Sequence, residues 1–223
     1  MPRDGDFMSL RLRSPIRCRL ERLHPCFGAV AITVLAVGCS VDPTVQKQKY
    51  LESGNRFFDK GDYSSAIIEY RNAIDIDGRF GEARKKLALA YGRTGEVAGA
   101  LDQYVRAADL LPEDVDVQMA AGTLLLAARK PEDAIARAEA ALKIQPDNVQ
   151  AHVLRGNALA GLSSFEEAFK SIDEALRLDP NRGATYTSLG FLQLSQGRRE
   201  LAESAFKRAV ELSPKEVGPR LAL

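Results

Sequence analysis

GEARKKLALAYGRTGEVAGALDQYVRAADLLPED, residues 81–114, is the stretch that decides how the chain folds. A 34-residue step from Ala100 reaches Ala66, Ala134, Ala168 and Ala202, and the same step from Ala107 reaches Ala73, Ala141, Ala175 and Ala209. Pro112 recurs as Pro146, Pro180 and Pro214, with Gly78 in the first unit, and Ala88 is matched by Gly54, Gly122, Gly156 and Gly190. Five copies hold one register. Self-similarity at a fixed period of this size marks a stacked-repeat architecture, in which one unit buries its apolar face only against its neighbours.

Within the unit, Ala83, Leu87, Ala88, Ala90 and Tyr91 recur at helical spacing and give one apolar face. Gly95 suits a left-handed helix end. A second helical set follows in Val97, Ala100, Leu101, Tyr104, Val105, Ala107 and Ala108, and Pro112 stops it because its ring fixes φ and it lacks an amide donor. The unit is therefore expected to be an antiparallel helix pair, with Ala100 and Ala107 small where two backbones approach and Tyr91 and Tyr104 filling the space between helices. Working outward, the units are 47–80, 81–114, 115–148, 149–182 and 183–216, and residues 217–223 read as the opening of a further first helix. Turns are expected at Lys60–Asp62, at Gly95, at Arg129–Pro131 with Pro131 opening a helix, at Leu162–Ser164 with a serine cap, and at Gln196–Arg198. Asp77, Asp147 and Asp179 are expected to bond amides of the inter-repeat turns.

The unit resembles the tetratricopeptide repeat, with its large apolar residue, Leu-Ala or Leu-Gly, Tyr, small residue, aromatic, small residue and closing proline. The resemblance covers Lys47 to Glu216 and implies an all-α, right-handed α-solenoid of five helix pairs. It also implies that the first helices line a concave groove for an extended peptide or a helix of a partner protein. Carried over unit by unit, the groove face holds Gln48, Leu51, Asn55 and Phe58, then Glu82, Lys85, Leu89 and Arg93. It continues with Asp116, Met119, Thr123 and Leu126, then Gln150, Val153 and Asn157, then Thr187, Phe191 and Leu194. Asn55 and Asn157 could bond a peptide backbone in both directions, since an amide carries donor and acceptor together. The carboxylate clamp of some co-chaperones is absent: the matching positions include Leu51, Lys86, Asp116 and Ala120.

Residues 1–38 are of another kind. Arg3, Arg11, Arg13, Arg17, Arg19 and Arg22 make the start basic, and the run Phe27–Gly38 carries no charge. A basic region, a short apolar core and small residues read as an export signal, and the run is too short for the ~20 residues of a spanning helix. Leu35–Cys39 resembles the lipobox of bacterial lipoproteins, with Gly38 and Cys39 matching and Ala36 departing. That resemblance implies a lipid on the thiol of Cys39 as the membrane anchor, and Ser40 favours an outer-membrane destination. Residues 39–46 are then a tether. Cys18 and Cys26 leave with the leader, so no disulfide is expected. Loss of six arginines and three acids takes the formal net charge from +1 to −2, so no basic balance points to nucleic acid.

No Walker loop, glycine fingerprint or paired-histidine motif is present, and no cofactor, metal or catalytic residue is expected. His152 takes the slot of Tyr50 and Tyr186 and reads as a packing residue. Glu132, Asp133, Glu166 and Glu167 open helices, where acids suit the dipole. The function expected is a non-enzymatic scaffold binding partner proteins in the groove, lipid-anchored in a bacterial envelope. Its layout resembles long tetratricopeptide lipoproteins of the exopolysaccharide and PEP-CTERM type. The alternatives are the regulatory arm of a larger enzyme such as a glycosyltransferase, or a soluble cytosolic adaptor. End-to-end self-association or a longer native array would cover the last apolar face.

Overall fold

The computed structural model of the chain describes residues 42–214, and these form ten helices. They are α1 (Pro43–Asp59), α2 (Tyr63–Ile76), α3 (Gly81–Thr94), α4 (Val97–Leu110) and α5 (Val115–Ala127). There follow α6 (Pro131–Ile144), α7 (Val149–Gly161), α8 (Phe165–Leu178), α9 (Gly183–Ser195) and α10 (Arg199–Leu212). Each consecutive pair packs as a hairpin, and each second helix packs on the first helix of the next pair. This is the five-unit all-α solenoid that the 34-residue period implies, and no strand occurs among the described residues. The leader, Cys39 and residues 217–223 lie outside the described residues.

The turns inside the pairs share one conformation. Gly61, Gly95 and Gly197 have φ of 79°, 82° and 74°, and the same register position in the other two units is left-handed as well, Arg129 at 58° and Ser163 at 61°. Glycine is the residue that takes this conformation without a Cβ clash; Arg129 and Ser163 hold it inside the same closing bond as the glycine turns, Lys130 N–H to the Leu125 carbonyl and Ser164 N–H to the Leu159 carbonyl. The caps differ from unit to unit. Asp42, Asp62, Asp114 and Asn148 accept from Thr44, Ser65, Val117 and Ala151 amides. Pro131 opens α6 as expected, whereas Ser164 stands at the cap of α8 without a side-chain cap bond. The tether is shorter than expected, since Asp42 caps a helix that Pro43 starts, so residues 43–46 belong to the first turn of α1.

Between units, Asp77 and Asp179 accept from the amides of Arg79 and Asn181. Asp147 makes no such bond among the described residues; it stands two places beyond the register position of Asp77 and Asp179, which Gln145 holds in the third unit. A second device recurs here. The side chains of Arg84, Gln118 and His152, one register position, donate to the carbonyls of Gly78, Pro112 and Pro146, each six residues back. His152 therefore ties a turn: a carbonyl only accepts, so its Nε2 carries the proton in this 2.9 Å bond.

The core of a unit is a large residue of the second helix laid on a glycine of the first. Tyr70, Ile172 and Phe206 are buried at one register position, and a Cβ on Gly54, Gly156 or Gly190 would collide with them. In the third unit Ala138 takes that position, and Leu154 of α7 fills the space over Gly122 instead. The second unit departs: Ala88 replaces the glycine, and its partner Tyr104 is only half-buried.

One ion pair ties neighbouring units through a cap. Lys85 Nζ lies 2.6 Å from Asp114 Oδ2, joining α3 to the N-terminus of α5. Burial raises the Asp114 carboxyl, but the bonds from Lys85 and the Val117 amide outweigh it and hold the group below its ordinary value. A depressed carboxylate stabilises the fold above its unfolded pKa of ~3.9 and ceases to as pH falls through the folded value. Asp114→Asn keeps a cap and removes the charge. Thermal melts should show the variant less stable than the parent at pH 7, with the gap closing below about pH 4. A gap that stays constant with pH would remove the charge from the account.

Candidate functional site

The first helices α3, α5, α7 and α9 line a groove of about 940 Å³, and its floor reaches through to Val97, Ala100 and Tyr104 of α4. The groove is deep in the second unit for a packing reason. α5 packs on α7 and α7 on α9, whereas α3 and α5 scarcely touch. Ala88 sets a methyl where the other units have glycine, so the Tyr104 ring does not sink as Tyr70 does over Gly54 and faces the groove instead. Burial pushes the Tyr104 hydroxyl above its ordinary pKa, against the smaller pull of Lys85. The phenol stays neutral and can give or take a hydrogen bond.

Five of the residues carried over from the family resemblance come together in this groove: Leu89, Arg93, Met119, Val153 and Asn157. Asp116, Thr123, Leu126 and Gln150 of the wider expected face join them. Leu89 and Met119 are half-buried and belong to none of the core clusters. The Asn157 amide donates to Ser188 Oγ at 3.1 Å, which leaves its carbonyl oxygen as acceptor.

Six others lie elsewhere. Leu51 is buried in the core shared by the first two units. Asn55 Oδ1 accepts from the Tyr70 hydroxyl at 2.9 Å. Phe58 packs edge-on against Tyr63 with centroids 5.1 Å apart. Lys85 is held by Asp114; burial, the largest single influence, lowers its pKa, but the bond and charge of Asp114 together with the charges of Glu82 and Asp116 outweigh it, so the amine stays charged. Thr187 donates back to the Gly183 carbonyl. Phe191 is half exposed at the far end of α9, edge-on to Phe206 at 5.0 Å.

Residues that the expected groove face does not include, among others, are Gly92, Val97, Ala100, Tyr104, Asn148 and Arg182. A signal for two of them is in the register, since Gly92 and Val97 stand where the first unit has Phe58 and Tyr63. Arg182 stands at the N-cap of α9 without a side-chain cap bond. Arg93, in the last turn of α3, is exposed and forms no ion pair among the described residues. The site is thus an apolar trough with amides, one carboxylate and two guanidinium groups. Such a surface binds by shape and hydrogen bonding. No group of three or more His, Cys, Asp or Glu side chains among the described residues is placed to hold a metal. No helix among them is long and apolar enough to cross a membrane.

Family models described as tetratricopeptide repeat match residues 119–183 and 184–216, and one described as TPR repeat matches residues 54–95. Among solved structures, MamA superposes with a TM-score of 0.66 at 20% identity, covering 77% of this chain and 94% of that one. YrrB, described as a TPR protein with an unusual peptide-binding site, gives 0.67 at 20% identity, covering 78% and 89%. A thermophilic TPR protein of Thermus thermophilus gives 0.56 at 24% identity, covering 78% and 95%. At these identities the likeness is one of fold. No curated relative matches the chain.

Proposed function

We propose, from the premise that this chain is an array of tetratricopeptide repeats, that its groove binds an extended segment of a partner protein. The single observation that carries the reading is the groove along α3, α5, α7 and α9, where apolar side chains outside the core share one trough with Gln150, Asn157 and Arg93. An extended peptide leaves its backbone donors and acceptors unpaired, and amides beside an apolar floor satisfy both parts of it. The peptide-binding site described for YrrB on the same fold supports the reading by likeness. Scaffolding rather than catalysis is the activity proposed.

The test is selection from a random dodecapeptide library displayed on phage, with the full chain as bait. Clones that bind the parent and are lost on Leu89→Asp with Met119→Asp support the groove. Clones indifferent to that pair, or no clones, sink the reading.

We further propose that Cys39 carries a lipid that anchors the array in a bacterial envelope, with envelope-assembly proteins as partners. The support is the basic and apolar leader ending at Gly38–Cys39. Metabolic labelling with a clickable fatty acid should mark the parent and leave Cys39→Ser unlabelled. Label on both, or on neither, removes the anchor.

A further inference from the structure

The geometry points to an aromatic anchor in the second unit of the groove. The space left by Gly92 and Val97 takes a phenyl, phenol or indole side chain of the bound segment, and a carboxylate of the same segment pairs with Arg93. The inference rests on the peptide-binding reading of the groove and specifies its ligand.

The chain contains its own precedent for what fits there. In the first unit Phe58 and Tyr63, on either side of the turn, fill this place with two rings packed edge-on at 5.1 Å. A 34-residue step places Gly92 and Val97 at those two positions. The other units keep bulk there in Leu126 with Pro131, in Phe165 beside Ala160, and in Leu194 with Arg199. Only the second unit has no side chain at the first of these two places. A Cβ on Gly92 would meet no atom within 4 Å, and Val97 is 61% exposed although apolar, so the space is open and lined by hydrocarbon. Tyr104, raised toward the groove by Ala88, offers a ring against which an incoming aromatic can pack edge-on.

Charge supplies the second half of the ligand. Arg93 borders the same opening, and the corresponding positions Asp59, Ala127, Gly161 and Ser195 carry no cation. Its guanidinium, with no ion pair among the described residues, matches a carboxylate in a bidentate fork. A buried ring flanked by a charge-assisted bond is the arrangement that dominates affinity at protein interfaces.

The test reads the clones selected above and measures a synthetic copy of the strongest groove-dependent one by fluorescence anisotropy on the full chain. The selected peptides should share Phe, Tyr or Trp with Asp or Glu a few residues away. Replacing that ring by alanine in the peptide should weaken binding at least tenfold. Gly92→Phe with Val97→Tyr rebuilds the pair of the first unit and should weaken the parent peptide by a similar factor. Arg93→Glu should weaken it severalfold and should favour a peptide with lysine in place of the acid. If the double variant melts early, Arg93→Glu and the ring-deleted peptide carry the test. Groove-dependent peptides that lack a ring, or that bind the double variant as tightly as the parent, overturn the anchor and leave the groove standing. An absence of groove-dependent peptides overturns both.

Discussion

Tyr70→Ala should cost about 3–5 kcal/mol of stability, the range for deleting a large buried ring. Tyr70 has no exposed surface, lies over Gly54 and donates to Asn55 Oδ1. Its removal leaves a hole between α1 and α2 that neither backbone can close, since the helices are held by Ala66 and Ala73 at close approach. Tyr70→Phe should lose only about 1 kcal/mol, the part that belongs to the hydrogen bond. Gly54→Ala alone should overpack, because its Cβ would stand 2.5 Å from the Tyr70 ring, at a cost of about 1–3 kcal/mol. In the Tyr70→Ala background the same change should recover stability, as expected where two sites share one space. Denaturant midpoints of the four proteins measure the cycle. Additive losses would mean that glycine and ring are not complementary partners. In a stacked array the damage should stay local, so hydrogen exchange should report loss of protection in α1 and α2 before α7 to α10.

Leu89→Asp combined with Met119→Asp should weaken capture of a groove-selected peptide about 100-fold or more, equivalent to about 3 kcal/mol. The effect is large because docking would strip water from two carboxylates that then face apolar surface without partners. The change should spare the fold, since both side chains lie in the groove and outside the core clusters. Two controls bracket the result. Ile68→Asp alters an exposed residue of α2 outside the groove and should leave capture unchanged. Leu89→Met with Met119→Leu preserves volume and should retain capture within a few fold. Undiminished capture by the aspartate pair, with an unaltered melt, would place the binding surface elsewhere.

Lys85 and Phe58 show why the family pattern of groove positions does not translate directly into a contact surface. Both stand at first-helix positions of the expected inner face. Lys85, however, is neutralised by Asp114, whose position is set by the turn that precedes α5. Phe58 is taken up by Tyr63 across a turn within its own unit. Asn55 and Asn157 differ in the same way: one amide is engaged by Tyr70 and the other by Ser188, so each keeps a different half of its bonding capacity. Register gives the direction in which a side chain leaves its helix. What it meets there depends on residues one or more units away in space.

The order of residues by itself determined the period, the five helix pairs, the position of each turn and the identity of the small residues at the helix contacts. These are local or nearest-neighbour properties: helical spacing, proline and glycine at the ends, alanine at close approach. Left-handed backbone at Gly61, Gly95 and Gly197 follows from the same chemistry, while at Arg129 and Ser163 it accompanies the closing backbone bond that all five turns share. Only the tertiary structure decided where the groove deepens. It does so in the second unit, where Ala88, Gly92 and the half-buried Tyr104 line the opening and α3 and α5 scarcely touch. Each of these residues is a tolerated variation within the repeat pattern. Side chains in a stacked array compete for one shared volume, and the competition is settled between helices rather than along the chain.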